Sequence, residues 1–98
     1  MDLSQNYFTE YPYVTLKELT KLKNLNLSSN LIKKLTNTHL NTLINLETLD
    51  LSRNSINSIQ PGTFLGLKKL RQLDLSVNSL RTVSIFFFLF ILPSDRHI

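Results

Sequence analysis

Three aspartates share one position of a repeating pattern and are the residues whose type best suits cation binding. Asp2, Asp50 and Asp74 are separated by multiples of 24 residues, and hard cations are bound by several oxygen ligands. Asn26 occupies the fourth place of this series, and equivalent side chains on neighbouring parallel strands point the same way instead of converging. The pattern therefore favours solvated carboxylates, and we predict no metal site.

No other combination of residues indicates catalysis. The chain has no cysteine, and its two histidines are His39 and His97. It contains neither a glycine-rich phosphate loop nor a Gly-x-Ser-x-Gly elbow, and a serine without a positioned base is only a polar residue. We therefore predict that the protein is not an enzyme and uses no cofactor.

The elements that would position these side chains follow from a fixed period. The chain repeats an asparagine every 24 residues, at Asn6, Asn30, Asn54 and Asn78. The phrase Leu-x-x-Leu-x-Leu-x-x-Asn recurs over residues 22–30, 46–54 and 70–78. A period in the twenties indicates a stack of repeated turns rather than a single globule.

Each phrase predicts a short strand, because the Leu-x-Leu alternation is the period of a strand with one buried face. We expect four parallel strands that start near Met1, Leu25, Leu49 and Leu73. After each asparagine the chain returns along the opposite side, where Tyr11-Pro12 and Gln60-Pro61-Gly62 indicate irregular or short helical backbone. We expect the asparagines to bind backbone groups of the turns rather than a ligand.

Composition sets the remaining bounds. With 98 residues, 42% of them hydrophobic, the chain is long enough for one small domain with a core. The net charge of +4 favours nucleic acid or anionic lipid only weakly. Residues 1–5 lack the basic and apolar segments of a signal peptide, and the apolar run over residues 85–92 is too short to span a membrane, which takes about 20 residues.

The return segment over residues 59–70 narrows the family. Phe64 is followed by Leu67 and Leu70, which resembles the extracellular type of leucine-rich repeat found in Toll-like receptor ectodomains, small leucine-rich proteoglycans and neuronal adhesion receptors. The resemblance covers residues 1 to about 83. It implies an α/β solenoid: a right-handed leucine-rich repeat horseshoe with a short parallel sheet on its concave face and a mostly irregular convex side.

The repeats divide the chain into segments. We predict a partial repeat over 1–21, repeats over 22–45 and 46–69, and a final repeat from 70, together forming a domain over 1–83 followed by an atypical apolar tail over 84–98. Met1 stands in a leucine position without a cysteine-bearing cap before it, which is typical of a truncated product. Three interpretations of the tail remain open: a cap on the last turn, in which Val83, Phe88 and Ile91 keep the register, sequence without a selected role, or an aggregation-prone segment.

The resemblance also implies a ligand surface, because the residues between the inward leucines face outward on the concave side. The predicted contact residues are Asn24, Asn26, Ser28, Thr48, Asp50, Ser52, Arg53, Gln72, Asp74 and Ser76. Asn26-Leu27-Ser28 also matches the acceptor pattern for N-glycosylation. Basic residues also recur at repeat spacing, and a solvated edge of the solenoid is the more common explanation for such a pattern than a stripe that binds nucleic acid or a sulfated glycan. They are Lys21 with Lys69, Lys23 with Arg71, Lys33 with Arg81, and Lys34 and Lys68 beside them.

The sequence thus predicts a non-catalytic recognition module. By resemblance it belongs to a leucine-rich repeat receptor such as a Toll-like innate immune receptor, at the cell surface or outside the cell, and binds a protein or pathogen-derived ligand. Two alternatives stay open: a structural matrix or intracellular scaffold protein built from the same repeat, and a truncated product without independent function.

Overall fold

The computed structural model describes residues 1–36 and 38–80. Its elements in chain order are helix α1 (Tyr13–Leu16) and strands β1 (Asn24–Asn26), β2 (Lys34–Leu35), β3 (Thr48–Asp50), β4 (Ser58–Ile59) and β5 (Gln72–Asp74). The expectations for Arg81, for Val83 and for the tail over 84–98 lie outside the described residues.

The main sheet contains β1, β3 and β5 in that order, with parallel pairing between neighbours. Leu25 pairs with Leu49, and Leu49 pairs with Leu73, so the register is the 24-residue repeat itself. The first turn adds a single parallel bridge between Asp2 and Asn26, where the sequence predicted a fourth strand near Met1. The first turn thus joins the sheet by one bridge rather than by a strand.

The core lies between the main sheet and the return segments. Side chains at equivalent positions of successive turns stack and are almost fully buried. The stacked sets are Leu25, Leu49 and Leu73; Leu27, Leu51 and Leu75; Ile32 and Ile56; Leu16, Leu40 and Phe64; Leu43 and Leu67; and Leu46 and Leu70. Each turn buries its own set only against its neighbours, which is why the fold is a solenoid.

The repeated asparagines join successive turns through their amide groups. Asn54 Nδ2 donates to the carbonyl of Leu51 in its own turn and to that of Leu27 in the turn before. Asn54 Oδ1 accepts the amide hydrogen of Ile32 at 3.1 Å. Asn30 and Asn78 make the equivalent bonds. These side chains satisfy backbone groups that the turns leave without partners.

The return side contains a small sheet that the sequence did not indicate. β2 and β4 form a second parallel sheet, in which Lys34 pairs with Ser58 and Leu35 pairs with Ile59. The rest of the described return side is irregular and α1 is a short helix, both as the sequence predicted, whereas the two two-residue strands were not predicted. A two-residue strand has too few positions to show an alternating pattern, so the sequence carried little sign of it.

The residue before each asparagine adopts left-handed backbone conformation. Gln5, Ser29, Arg53 and Val77 have φ values of 56°, 57°, 56° and 54°. Left-handed backbone brings Cβ close to the following carbonyl oxygen, which costs roughly 1–2 kcal/mol for a residue other than glycine. The tight turn after each main-sheet strand therefore carries strain, most of all at the β-branched Val77.

Candidate recognition surface

The outward side of the main sheet carries a shallow depression, which we call the sheet face. Its volume is about 300 Å³, and it is lined by Met1, Asn24, Leu25, Asn26, Thr48, Leu49, Asp50, Gln72 and Asp74. Six of these lining residues were predicted as ligand contacts. Parallel pairing places them in two rows across the strands, because equivalent residues lie directly beside one another.

The aspartates of the sheet face bind the serines that follow them. Asp50 Oδ1 accepts the backbone amide of Ser52 at 2.9 Å and its hydroxyl at 2.6 Å, and Asp74 does the same with Ser76. Each carboxylate thereby stabilises a local turn. One oxygen of each aspartate is therefore committed to the fold, and the sequence offered no clear sign of this second role.

Asp2 repeats this arrangement in the first turn. The hydroxyl of Ser4 and then its backbone amide donate to Asp2 Oδ1, and these hydrogen bonds hold the pKa of the Asp2 carboxyl below its ordinary value. Within residues 1–36 and 38–80, no group of three or more histidines, cysteines and carboxylates is placed to hold a metal ion. The aspartates are thus arranged as separate turn-stabilising groups.

In the second turn of the solenoid, Asn26 occupies the position that an aspartate has in the other turns. Its uncharged side chain makes the same bond to the backbone amide two residues later. Its Oδ1 accepts the amide hydrogen of Ser28 at 2.9 Å. The side chain is half-buried in β1 and lies in the same row of the sheet face as Asp50 and Asp74. A glycan on Asn26, the predicted acceptor, would therefore stand within the depression itself.

The serines and Arg53 differ in their access to solvent. Ser52 is only 8% exposed and its hydroxyl is bound to Asp50, so it does not offer the outward contact expected of it. Ser28 is half-buried, whereas Ser76 and Arg53 are exposed. Arg53 is the one predicted contact residue that carries a positive charge.

The row nearest the start of the strands is polar and partly bonded to itself. Thr48 Oγ1 donates to Asn24 Oδ1 in the preceding turn at 2.6 Å, and Gln72 is exposed beside them. The bond holds two predicted contact residues in one fixed arrangement. Such preorganisation lowers the conformational entropy that a ligand must remove on binding.

Basic residues that precede the strands form what we call the basic edge: Lys21, Lys23, Lys68, Lys69 and Arg71, all exposed. Two of them have partners in the turn before. Arg71 lies 3.6 Å from the Glu47 carboxylate, and Lys69 Nζ donates to Asn45 Oδ1 at 2.8 Å. The Glu47 carboxylate offsets part of the positive charge of the basic edge, whereas the uncharged Asn45 amide positions the Lys69 ammonium without changing its charge.

Sequence reasoning missed an aromatic cluster on the return side. The rings of Tyr11 and His39 are stacked with centroids 5.1 Å apart, and Tyr13 lies tilted against His39 at 6.5 Å. Burial lowers the pKa of His39, Glu10 opposes that effect and Lys34 adds to it. Burial likewise raises the pKa of the Tyr11 phenol. His39 belongs to the turn after that of the two tyrosines and is not at repeat spacing from either, so no sequence pattern indicated their contact.

A stack of parallel strands with an asparagine at each turn defines a solenoid repeat protein. The model of the leucine rich repeat family matches residues 20–80, more than half of the chain, and the chain belongs to that family. No curated protein is similar enough to match.

Among solved structures, the crystal structure of the TLR13–ssRNA13 complex is similar, with 30% sequence identity and a TM-score of 0.68. The match covers 82% of the present chain and 11% of the TLR13 chain. The chain therefore resembles part of a Toll-like receptor, as the sequence predicted. Within the described residues, no helix is both long enough and apolar enough to cross a membrane. Together these likenesses support a recognition module of receptor type.

Proposed function

We propose that the protein is a non-catalytic recognition module of a Toll-like or related leucine-rich repeat receptor, and that its sheet face binds a basic segment of a protein ligand. The observation that carries the proposal is the fixed polar array around the 300 Å³ depression. It presents amide, hydroxyl and carboxylate groups in register on neighbouring strands. Family membership supports recognition, and the likeness to a Toll-like receptor supports an extracellular or endosomal setting.

Charge determines the class of ligand. The sheet face carries the carboxylates of Asp50 and Asp74 against one positive group, the amino terminus of Met1. Asp2 adds a third carboxylate on the first turn, next to Asn26. The one arginine among the predicted contacts lies after β3 rather than in the depression. A surface of this sign attracts lysine and arginine side chains and repels phosphates. We therefore favour a protein ligand with basic residues over a nucleic acid on this surface.

The area of the sheet face implies that more repeats contribute to tight binding. A standard interface buries about 800 Å² on each partner. Three strands of three residues, about 4.8 Å apart and rising about 3.3 Å per residue, project only roughly 140 Å². Other parts of the receptor would supply the remainder of the contact.

Asn26 suggests a charge-removing test that preserves the fold. In the second turn an asparagine already stabilises the turn through Oδ1. Asp50→Asn and Asp74→Asn should therefore keep their bonds to the following serines and remove only the charge. The probe is a peptide of alternating arginine and serine, followed by NMR shifts of the main-sheet amides.

We expect the peptide to shift amides of β1, β3 and β5 and the double variant to bind about tenfold more weakly. The matched control is Glu18→Gln, which removes an exposed carboxylate outside the depression and should leave the affinity unchanged. Equal affinity of the double variant and the parent protein would refute the proposal.

The TLR13 complex contains single-stranded RNA, which favours a second candidate, binding of a polyanion along the basic edge. In that case affinity for a short oligouridylate would fall steeply with salt. Lys23→Gln would weaken the binding, whereas Asp50→Asn would strengthen it or leave it unchanged. The opposite responses of these two variants separate the candidates.

A further inference from the structure

Backbone hydrogen bonds join the return segments of the second and third turns. At the equivalent position, the return segments of the first and second turns lie apart. Between the second and third turns, Asn57 N donates to Lys33 O at 2.9 Å and Gln60 N donates to Leu35 O at 3.0 Å. The equivalent bonds 24 residues earlier would join Lys33 N to Thr9 O and Thr36 N to Tyr11 O. Neither bond is present in the described part of the chain.

A local turn explains the separation. Pro12 has φ −78° and ψ 67°, and the Tyr13 amide donates back to the Tyr11 carbonyl at 2.8 Å, which is the geometry of an inverse γ-turn. The Tyr11 carbonyl is thus occupied within its own turn. The amide of Thr36 donates instead to Nδ1 of His39 at 3.3 Å.

The separation leaves a cleft of about 540 Å³, which we call the return cleft. It is lined by Thr9, Glu10, Lys33, Lys34, Thr36 and His39. Among the described strands β2 pairs with β4 alone, and its other edge lies toward the first turn. The carbonyls of Lys33 and Leu35 accept hydrogen bonds from the third turn. Because successive residues of a strand direct their backbone groups to opposite edges, the N–H and C=O of Lys34 are directed toward the cleft.

We propose that the return cleft binds an extended, acidic segment of a partner protein, which pairs with the open edge of β2. An unpaired strand edge is a template for another strand, and added strands of this kind are a common mode of peptide recognition. Lys33 and Lys34 would meet the carboxylates of the segment. This site lies on the opposite side of the core from the sheet face and does not depend on the function proposed for that face.

Charge and shape favour a peptide over a nucleic acid in the return cleft. Glu10 lies in the wall of the cleft beside the two lysines. A nucleic acid carries a phosphate at every nucleotide and would bring one against this carboxylate. A peptide can place carboxylates beside the lysines and an uncharged side chain beside Glu10. Backbone pairing with β2 is also specific to a polypeptide.

The test uses residues 1–98 and a peptide of alternating glutamate and valine, with binding followed by NMR shifts of assigned amides. We expect the largest shifts at Lys34, Leu35 and Thr36, and no shifts in β1, β3 or β5. A peptide of alternating lysine and valine should bind at least tenfold more weakly, because it places like charges beside Lys33 and Lys34.

Two substitutions at one position separate charge from backbone pairing. Lys34→Gln removes the charge alone and should weaken binding about fivefold. Lys34→Pro also removes the N–H and should weaken binding about fivefold more. Lys21→Gln on the basic edge is the control and should change nothing. If the proline variant does not fold, a glutamate–valine peptide with N-methylated alternate amides tests the backbone pairing on the parent protein from the other side, because it removes the peptide N–H groups that would donate to the Lys34 carbonyl.

Three results would overturn the proposal. The first is equal binding of Lys34→Gln and Lys34→Pro, or of the plain and N-methylated peptides when the proline variant does not fold. The second is a set of shifts confined to the sheet face. The third is a short oligouridylate that shifts the cleft amides while the acidic peptide does not, since the occupant would then be a nucleic acid.

Discussion

Asn54 accepts the amide hydrogen of Ile32 from the turn before it, at an Oδ1–N distance of 3.1 Å. The same side chain donates to carbonyls of both turns, including that of Leu27. One amide group therefore closes its own turn and fastens the preceding one. The solenoid is held between turns by these polar contacts as well as by stacked leucines.

We predict that Asn54→Ala lowers the free energy of unfolding by about 3 kcal/mol, because it leaves partly buried carbonyls and one amide without partners. The control is Asn6→Ala. Asn6 is exposed and bonds only to Leu3 O and Ser4 O within its own turn, so its loss should cost less than about 1 kcal/mol. Urea denaturation followed by circular dichroism measures both values. Equal losses at the two positions would contradict the role in joining turns.

The repeat period predicted the register of the main sheet, because a 24-residue spacing leaves one alignment of Leu25, Leu49 and Leu73. Register is fixed strongly where one face of a strand is buried. The solenoid fold and the parallel strands are confirmed, whereas the handedness of the coil stays a prediction.

The features that the sequence did not reveal depend on single turns rather than on the repeat. The return cleft follows from the γ-turn at Pro12, and the stacking of Tyr11 on His39 follows from that same detour. Pro12 predicted irregular backbone at this point. The loss of hydrogen bonds between the first and second return segments depends on three-dimensional geometry that a sequence pattern does not contain. The bonds from Ser52 to the Asp50 carboxylate were also not predicted, because a solvated aspartate and a turn-stabilising aspartate recur at the same spacing.

Left-handed backbone before each asparagine leads to a second prediction. Val77 has φ 54°, a conformation that β-branched residues rarely adopt and asparagine tolerates. Val77→Asn should therefore raise the stability by about 1 kcal/mol. The reciprocal change, Arg53→Val at φ 56°, should lower it by a similar amount. Thermal denaturation of both variants provides the measurement, and a destabilised Val77→Asn protein would argue against strain at this turn.

Tyr11 supplies a third prediction. Its side chain is 4% exposed, and its hydroxyl makes no hydrogen bond to any of the residues that the structure describes. Burying a hydroxyl without a partner costs roughly 1–3 kcal/mol, so Tyr11→Phe should stabilise the protein by about 1 kcal/mol while keeping the ring stacked on His39. Tyr13→Phe, at a half-buried ring, is the matched control and should be neutral. A stability loss in Tyr11→Phe, measured by urea denaturation, would show that the hydroxyl has a partner in solution.

His39 should make stability depend on pH between about 6.5, its ordinary pKa, and its lowered value in the fold. Burial favours the neutral ring, and Nδ1 must stay unprotonated to accept the Thr36 amide. As the pH falls through this window the unfolded chain binds the proton first, so stability is lost on acidification. His39→Gln removes the titrating group and should flatten the profile in this window. The pKa of Asp2 is held below its ordinary 3.8, so that carboxyl acts only at lower pH. An NMR titration that places the pKa of His39 at or above 6.5 would contradict the prediction.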